Sequence, residues 1–430
     1  MTDVMKYLRD APLTDVVLRV AGRPDIDAAA LQAALRGVTA PVKRARSGPA
    51  PGTAAALLAV VSRVARILPG RSVVPILDFI RLTIRDGIAT LTTTDMERTM
   101  VESVAWDSPD CDGLVPGKLL LATLKAMAPD ARPIITQDPS TESKRMVKGA
   151  EITEQEPGIW RLGGATLRSA WLADFPNTAP PATWPATFDL SCDDIRRMFG
   201  SVAHCQSTEE TRYYLNGVFL HVVDGELRTV ATDGHRLGRS VTPAPDGAER
   251  MPERGGVGRG VIVPTSAVKV MLDSLPASGT CQVEVSKEHI RVTCGAWSIV
   301  SKLVDGTFPD YQRVTPAKGP VTTYSNAELA AAVKAVRVVS SERSAPIRLA
   351  WPDGDGCEVS ATDVENGTAL REVTCGGARP AAPVGMQARY LLDILAQLGE
   401  TVWVSFGDTG SPMLIGDDSS LTYVLLPMRL

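Results

Sequence analysis

The strongest constraint on how this chain can fold is a hairpin motif that occurs three times. Each copy has an Asp-Gly turn, an alternating apolar strand, a Thr-Asp pair and a second strand that runs outward again. The Thr-Asp pairs lie roughly 130 to 140 residues apart, at Thr94-Asp95, Thr232-Asp233 and Thr362-Asp363. A period of this length indicates one domain copied three times rather than a solenoid of short repeats. Because a triplicated domain usually builds a symmetric scaffold, we look for function in what that scaffold surrounds.

Length and composition are those of a soluble multidomain protein. The 430 residues leave room for about three domains, and 44% hydrophobic with 22% charged residues is ordinary for globular domains. No apolar run approaches the roughly 20 residues of a membrane-spanning helix, and the first residues lack the layout of a signal peptide. The seven cysteines include no Cys-x-x-Cys pair. We therefore expect reduced thiols in a cytosolic protein, most of them small core residues.

Two amphipathic helices frame the hairpin in each copy. Apolar residues at three- and four-residue spacing predict one helix before the hairpin and one after it, and a further hairpin then closes the unit. We predict an α+β fold in which each copy reads helix, strands, helix, strands. Asp193 or Asp194 and Asn326 are the expected N-caps. The six predicted helices span 54–68, 115–127, 192–205, 263–275, 326–339 and 386–398.

Basic residues recur on the polar faces of the helices in all three copies. Scattered cations ordinarily mark a solvated helix face, and the net charge of −4 by itself argues against a nucleic-acid partner. Their recurrence favours another interpretation, because helices turned to one side of a scaffold would present a positive lining to phosphates. The cations that would form this lining are Arg63, Arg66, Arg196, Arg197, Lys334 and Arg337.

Four segments resemble, in the same order, the beta subunit of bacterial DNA polymerase III, the beta sliding clamp. They are "GRSVVPILDFIRL" at 70–82, "TRYYLNGVFLHVVDGELRTVATDGHRLGRS" at 211–240, "SKLVDGTFPDYQRVTP" at 301–316 and "YVLLPMRL" at 423–430. The resemblance implies three clamp domains, each with an antiparallel sheet outside and two helices inside. In that family two subunits join head to tail, and such a contact closes into a ring when its rotation closes.

The resemblance implies a function without catalysis. The chain would be a cytoplasmic processivity factor that encircles double-stranded DNA as a homodimer, without sequence preference and with no cofactor, metal or membrane contact. Its partners would be the DNA polymerase catalytic subunit, the clamp loader and repair factors, bound through short linear peptides. A specialised duplicate clamp of phage, plasmid or resistance type, with altered partners, is a second hypothesis.

The same resemblance divides the chain into an N-terminal extension and three clamp domains. The extension could be a disordered arm, an added helix packed on the first domain, or an artefact of start-codon choice. The predicted boundaries are 1–46 for the extension and 47–183, 184–319 and 320–430 for the domains.

Two features of this layout depart from the family. The first edge strand should lie near 40–46, where the sequence is a poor but possible strand. The segments 136–158 and 243–260 are long, and their Gly, Pro and charge content predicts mobile surface loops.

The family captures partner peptides in a cleft between the second and third domains. Aliphatic, proline and methionine walls accept apolar anchors there, and a few polar groups hold the peptide backbone. Transferred position by position, the resemblance places in this cleft Leu215, Thr232, Gly234, His235, Arg236, Leu237, Pro309, Arg313, Val314, Val424, Leu425, Pro427, Met428, Arg429 and Leu430.

Asp233 and His235 form an Asp-x-His pattern that could suggest metal binding or acid–base chemistry. The chain has only 4 histidines, and no second ligand cluster stands beside this pair. A cleft residue or a turn-stabilising histidine is therefore the better interpretation, with Asp233 accepting bonds from the backbone amides of its turn. A metal-dependent hydrolase centred on the pair is the alternative from a different class, and neither a Gly-rich phosphate loop nor metal-spaced ligands support it. We predict no catalytic residue.

Three more residues are DNA contacts by resemblance. Arg71 can pair with phosphate, and Tyr213 and Tyr214 can pack on sugars or exposed bases. Alternatively, either tyrosine is buried on the strand that starts there. A glutamine that can contact DNA in a well-studied family member has no clear counterpart, since Glu209 and Glu210 stand near its place.

Overall fold

The computed structural model describes residues 50–70, 73–138, 141–147, 150–156, 158–178, 181–253, 257–340, 345–352, 356–408 and 410–429, with the backbone alone for 142–147 and 150–156. The extension 1–46 with its possible edge strand, Arg71 and Leu430 lie outside these described residues. Within them, no helix is both long enough and apolar enough to cross a membrane.

The first repeat begins with the predicted amphipathic helix and continues through two sets of strands. Its elements are α1 Ala54–Val64, β1 Phe79–Arg85, β2 Ile88–Thr94, β3 Arg98–Ala105, β4 Cys111–Pro116, α2 Gly117–Lys125, β5 Ile135–Asp138, β6 Thr141–Val147, β7 Ala150–Glu156, β8 Ile159–Leu162 and β9 Ala165–Arg168. The apolar stripe of α1 is buried as predicted, including Leu57, Val61 and Val64. The prediction of a mobile loop over 136–158 is wrong, because β6 and β7 pair as a hairpin there. Backbone hydrogen bonds can hold such a hairpin together, and its mainly polar sequence lacks the alternating apolar residues that would have predicted two strands.

The second repeat has the same order of elements. They are β10 Ala186–Ser191, α3 Cys192–Ala203, β11 Gly217–Val223, β12 Glu226–Thr232, β13 Arg236–Pro243, β14 Arg259–Pro264, α4 Thr265–Ser274, β15 Thr280–Val285, β16 His289–Cys294 and β17 Trp297–Lys302. The prediction of a mobile surface loop over 243–260 needs correction, because Ala248 and Met251 are fully buried there. These two apolar side chains attach the segment to the core.

The third repeat completes the described chain. Its elements are β18 Val321–Ser325, α5 Asn326–Val336, β19 Pro346–Ala350, β20 Gly356–Asp363, β21 Gly367–Gly377, β22 Val384–Gln387, α6 Ala388–Leu395, β23 Thr401–Ser405, β24 Met413–Gly416 and β25 Leu421–Leu425. All six predicted helices are thus present, each shorter than its predicted span.

The N-caps differ from the prediction. Ser191 and Ser325 cap α3 and α5, and their hydroxyl oxygens accept from the backbone N–H groups of Asp194 and Glu328 at 2.9 and 3.5 Å. Each serine ends a strand that runs directly into the helix, so the helix starts earlier than the acidic residues suggested. Asn326, expected as a cap, instead donates from its side chain to backbone carbonyls after α6, among them that of Leu398 at 3.0 Å.

The repeated turns have one chemistry. Asp86-Gly87 and Asp224-Gly225 all adopt positive φ, between 51° and 74°, as two-residue hairpin turns require. The Asp-Gly turn of the third copy lies outside the described residues.

The Thr-Asp pairs form the same side-chain-bonded turn in every copy. The carboxylate oxygens of Asp95, Asp233 and Asp363 each accept from the backbone N–H groups two and three residues later, at 2.7 to 3.1 Å. An Asp at this position mimics a backbone turn, so the pair fixes where the second strand begins.

Sheets continue across the boundaries between repeats. Strand β3 of the first repeat pairs with β17 of the second, and β13 of the second pairs with β25 of the third. These junctions join the strands into sheets of eight and twelve, while β5, β8 and β9 form a separate three-stranded sheet. The helices pack in pairs within each repeat, α1 with α2, α3 with α4 and α5 with α6. In repeats one and two, the second strand of the Thr-Asp hairpin therefore pairs with the last strand of the following repeat.

Candidate functional site

A cleft of about 470 Å³ lies between the second and third repeats. Ten of the fifteen residues expected in the peptide cleft line it: Leu215, Thr232, Gly234, His235, Arg236, Leu237, Pro309, Arg313, Val314 and Val424. Six further residues complete the lining: Asp310, Tyr311, Thr315, Pro316, Pro412 and Leu426. That these residues bind peptide stays a prediction at this point.

The floor of the cleft is a hydrophobic cluster separate from the main core. Within it, Phe219 and Phe308 stack with ring centres 4.9 Å apart and planes 7° apart. The buried Tyr311 hydroxyl lies 3.2 Å from Nε2 of His221 and accepts from Arg228 at 3.3 Å. Packed aromatic rings make a rigid floor, which suits a preformed site.

Apolar side chains are exposed along the walls. Val314 is 55% exposed and Leu426 is 39% exposed. Arg313 stands at the rim, where its Nε donates to Asp310 at 3.0 Å. Exposed apolar groups beside a concave floor are the pattern of a recognition site, because a ligand that covers them removes their surface from water.

The chain end corrects the predicted set. Val424 faces the cleft, whereas Leu425 is fully buried in the main core and does not line the cleft. Successive side chains of a strand point to opposite faces, so the next cleft residue is Leu426, which the resemblance missed. The period-two pattern was the signal that could have found it.

Pro427, Met428 and Arg429 do not line the cleft either. They attach the chain end to its surroundings: the Leu426 N–H donates to the His235 carbonyl at 2.9 Å, and the Met428 N–H donates to the Gly385 carbonyl at 2.8 Å. These bonds fix the backbone on both sides of Pro427.

Arg236 lines the cleft and also serves the joint between the repeats. Its side chain is only 5% exposed, and its guanidinium donates to Asp233 at 3.1 Å and to Asp393 at 2.7 Å. The guanidinium carbon also lies 4.3 Å from the ring centre of Tyr390. These partners fix the guanidinium of Arg236 at the wall of the cleft, where the residue was predicted to lie.

Three of the histidines lie at or near the cleft, in different surroundings. His235 is exposed, its ring centre lies 6.3 Å from that of Tyr390, and it belongs to no group of three potential metal ligands among the described residues. Burial, reinforced by Arg236, lowers the pKa of His204 to about 4. Burial, reinforced by Arg228 and Arg239, lowers the pKa of His221 to about 3. Both are therefore neutral core residues at physiological pH.

Acidic partners hold four of the six cations expected to face DNA. The pairs are Arg63–Glu102 at 2.9 Å, Arg66–Asp273 at 3.4 Å, Arg196–Asp193 at 3.0 Å and Arg197–Asp194 at 2.8 Å. Lys334 and Arg337 are exposed at the end of α5 and make no ion pair with the described residues. Four of the six cations thus share their charge with an acid, and a lining that faces DNA stays a prediction.

The paired tyrosines lie on a short 3₁₀ helix, Glu210–Leu215, and not on a strand. Tyr213 is 54% exposed, and its ring meets that of Tyr214 edge-on with centres 5.8 Å apart. Glu209 forms an ion pair with Arg212 at 2.7 Å. Of the expected aromatic contacts, Tyr213 is thus the accessible one.

Comparisons with known proteins agree along nearly the whole described chain. Family models for the N-terminal, central and C-terminal domains of the DNA polymerase III beta subunit match residues 53–148, 189–310 and 312–429. The beta sliding clamps of Caulobacter vibrioides and Escherichia coli K12 are each 31% identical to it, over 87% of this chain and 98% of theirs.

Solved structures give the same result. The sliding clamp of Bartonella birtlesii bound to griselimycin matches with a TM-score of 0.75 and 29% identity, over 88% of this chain and 98% of that one. The Caulobacter crescentus clamp, with polyethylene glycol bound to a putative beta-motif tethering region, matches with a TM-score of 0.73 and 29% identity over the same shares. The chain belongs to the family of beta sliding clamps, the non-catalytic beta subunits of DNA polymerase III.

Proposed function

We propose that this chain forms a head-to-tail homodimeric ring around duplex DNA and holds the replicative polymerase there through the cleft between repeats two and three. The observation that supports the ring is a strand edge in the third repeat, at the place where repeats one and two each pair with the next repeat. The relatives named above support neither the hydrolase nor the specialised duplicate clamp. A clamp that serves chromosome replication works in the cytoplasm, where we place this protein.

The leftover edge is the first half of β21. Strands β3 and β13, which occupy the same place in repeats one and two, each pair with the last strand of the next repeat. By contrast, among the described residues β21 pairs on that side only through residues 375–377, with β18, and residues 367–372 are mostly exposed. Leu370 is 45% exposed there. An unpaired edge with an exposed leucine is a template for another strand.

The complementary edge is β9, the last strand of repeat one. It ends the three-stranded sheet and pairs only with β8 among the described residues. In the first junction Arg98 lies opposite Ser301. Gly367 and Ser169 are their counterparts, because Thr368 pairs with Thr362 as Thr99 pairs with Thr94, and Ser169 follows its glycine turn as Ser301 does. This register would put Leu370 opposite Thr166 of a second copy, and a second such contact would close the ring.

Disulfide cross-linking tests this register. In the double variant Thr166→Cys, Leu370→Cys, opposed residues of paired antiparallel strands stand within disulfide reach, so oxidation should give a covalent dimer. The matched control is Thr166→Cys, Ala369→Cys, in which the second thiol points to the other sheet face. A monomeric mass at micromolar concentration, with no cross-link in either variant, would refute the ring.

Peptide capture in the cleft rests on its exposed apolar walls and rigid floor. A labelled peptide from the carboxyl end of the cognate polymerase should bind in a fluorescence anisotropy titration, and Val314→Asp should weaken it at least about tenfold by placing a charge against an apolar anchor. Val338→Asp alters an even more exposed valine outside the cleft and serves as the control. Equal affinity of the two variants would contradict the assignment.

Deleting residues 427–430 gives a second test of the cleft. The deletion removes the Met428–Gly385 bond that anchors Leu426, so peptide affinity should fall while the dimer persists. Unchanged affinity would show that the terminal residues have no positioning role.

Contact with DNA should be sparse and topological. Lys334 and Arg337 are exposed cations without an ion pair to the described residues, and Tyr213 is the exposed tyrosine, while Arg63, Arg66, Arg196 and Arg197 each pair with an acid. A clamp loaded on nicked circular DNA should remain through gel filtration and escape once the DNA is linearised. Equal loss from circular and linear DNA would exclude encirclement. Arg337→Glu should shorten retention at low salt, and Arg250→Glu, a reversal on a distant loop, should not.

A further inference from the structure

Three cysteine thiols meet in the second repeat, at the start of α3 and on the strands beside it. The Sγ atom of Cys192 lies 3.5 Å from that of Cys281 and 3.6 Å from that of Cys294. All three sulfur atoms lie within 4.8 Å of one another, and all three residues are buried. Among the described residues, no other set of His, Cys, Asp or Glu side chains has this geometry for a metal ion.

Strand register brings these thiols together. Gln282 pairs with Thr293 across β15 and β16, so Cys281 and Cys294 come next to each other at the following position. Ser191 pairs with Thr280, and Cys192 follows it as the first residue of α3. The three cysteines are far apart in the sequence, which is why no Cys-x-x-Cys spacing announced them.

The separations of the sulfur atoms match those of a zinc thiolate site. A Zn–S bond of about 2.3 Å in tetrahedral geometry places two sulfur ligands about 3.8 Å apart. The two measured separations fall within a few tenths of an ångström of that value. Thiolate sulfur is also the ligand type that soft ions such as Zn²⁺ prefer.

An opening for the ion and for a fourth ligand lies at Gly279. This residue is exposed, and a Cβ atom there would stand 3.0 Å from Sγ of Cys294 and 3.9 Å from Sγ of Cys192. The absent side chain leaves the cluster just beneath the surface. A water molecule could take the remaining coordination position from this side.

The charge of such a complex would also be compensated. Three thiolates and one Zn²⁺ carry a net charge of about −1, which is costly to bury unless opposite charge lies close by. Cys192 occupies the first turn of α3, whose N-terminus is the positive end of the helix dipole. Arg196, on the same helix, is near enough to act electrostatically on Cys294, although it shares its charge with Asp193.

We propose that Cys192, Cys281 and Cys294 bind one Zn²⁺ ion, with water as the fourth ligand. On binding, each thiol releases its proton to solvent, and its sulfur donates an electron pair to the metal. The ion would fix the start of α3 to β15 and β16, and would thereby stabilise the second repeat. This site is separate from the peptide cleft and from the ring contact.

Equilibrium dialysis of the reduced full-length protein against Zn²⁺ tests the site. One ion per chain is expected, and Cys281→Ser or Cys294→Ser should weaken binding by at least about tenfold, a loss typical even of outer partners of a metal. Cys375→Ser, which removes a buried thiol of the third repeat, is the matched control and should bind as the wild type does.

A spectroscopic measurement on the wild type keeps the proposal testable if a variant fails to fold. Cd²⁺ should produce the ultraviolet thiolate-to-metal band at one equivalent, and Zn²⁺ should displace it. The site would be refuted by binding of less than one Zn²⁺ per chain, by the absence of the cadmium band, or by an equal loss of Zn²⁺ affinity in Cys375→Ser. Binding of Cu⁺ without Zn²⁺ or Cd²⁺ would overturn the choice of ion.

Discussion

Leu425 and Leu426 are neighbours on the chain, yet the alternation of an extended segment sends them to opposite sides. Leu425 belongs to the main core, and Leu426 lines the cleft. The same substitution at both positions, Leu425→Ala and Leu426→Ala, therefore separates stability from peptide affinity. We expect the first variant to lose stability and the second to lose affinity.

The magnitudes follow from the exposure of each side chain. Leu425 is 0% exposed, so its truncation should cost about 2 to 5 kcal/mol of unfolding free energy, as for other fully buried leucines. Burying a whole leucine stabilises by about 1.5 to 3 kcal/mol. Leu426 is 39% exposed, so a peptide can bury only that fraction, worth about 0.6 to 1.2 kcal/mol. Its truncation should then raise the peptide Kd about three- to eightfold.

Two assays measure the two effects on the same protein samples. Urea unfolding followed by circular dichroism reports stability, and anisotropy of a labelled polymerase peptide reports affinity. Each variant is the control for the other, because the change in side-chain volume is identical. The reasoning fails if folded Leu425→Ala loses more affinity than Leu426→Ala, or if Leu426→Ala is the less stable of the two.

Three more outcomes are expected. Asp393→Asn should remove one carboxylate from the buried Arg236 and lower the hydrogen-exchange protection of the β25 amides by about 1.5 to 3 kcal/mol. Arg389 lies 3.9 Å from the same carboxylate but is exposed, so Arg389→Ala should lower that protection by less than about 1 kcal/mol. Because the pKa of His204 is lowered from 6.5 to about 4, the unfolded state takes up the proton first. As the pH is lowered from 6.5 to about 4, the free energy of unfolding measured in urea titrations should then fall by roughly 1.4 kcal/mol per pH unit. The variant His204→Gln should show a smaller slope. Ser325→Ala should cost about 0.5 to 2 kcal/mol by removing the cap of α5, and no change in urea midpoint would refute the cap.

Features that depend on neighbouring residues were predictable. The α1 stripe is buried because apolar spacing alone defines a helix face, and Asp233 bonds its own turn because that chemistry spans three residues. The caps were misplaced by up to three residues, since a strand that runs straight into a helix gives its last residue, Ser191, the capping position.

The cleft was predictable where the resemblance supplied positions and failed where strand geometry intervened. Leu425 was included because the terminal motif was taken whole, although every second residue of a strand faces away. Pro412 carried no sequence signal, because only the packing of the third repeat on the second brings it to the wall.

By itself, the sequence determined that one unit is repeated three times and what chemistry each turn and helix carries, because those depend on residues a few positions apart. Only the tertiary structure decided which charged side chains and thiols contact one another, and therefore which of them can still bind a partner. It joined Arg66 to Asp273 and Arg236 to Asp393, and it brought Cys192 to Cys281 and Cys294. Such pairs span tens to hundreds of residues, and no local pattern encodes them. Their partners are set by the register and packing of the assembled sheets.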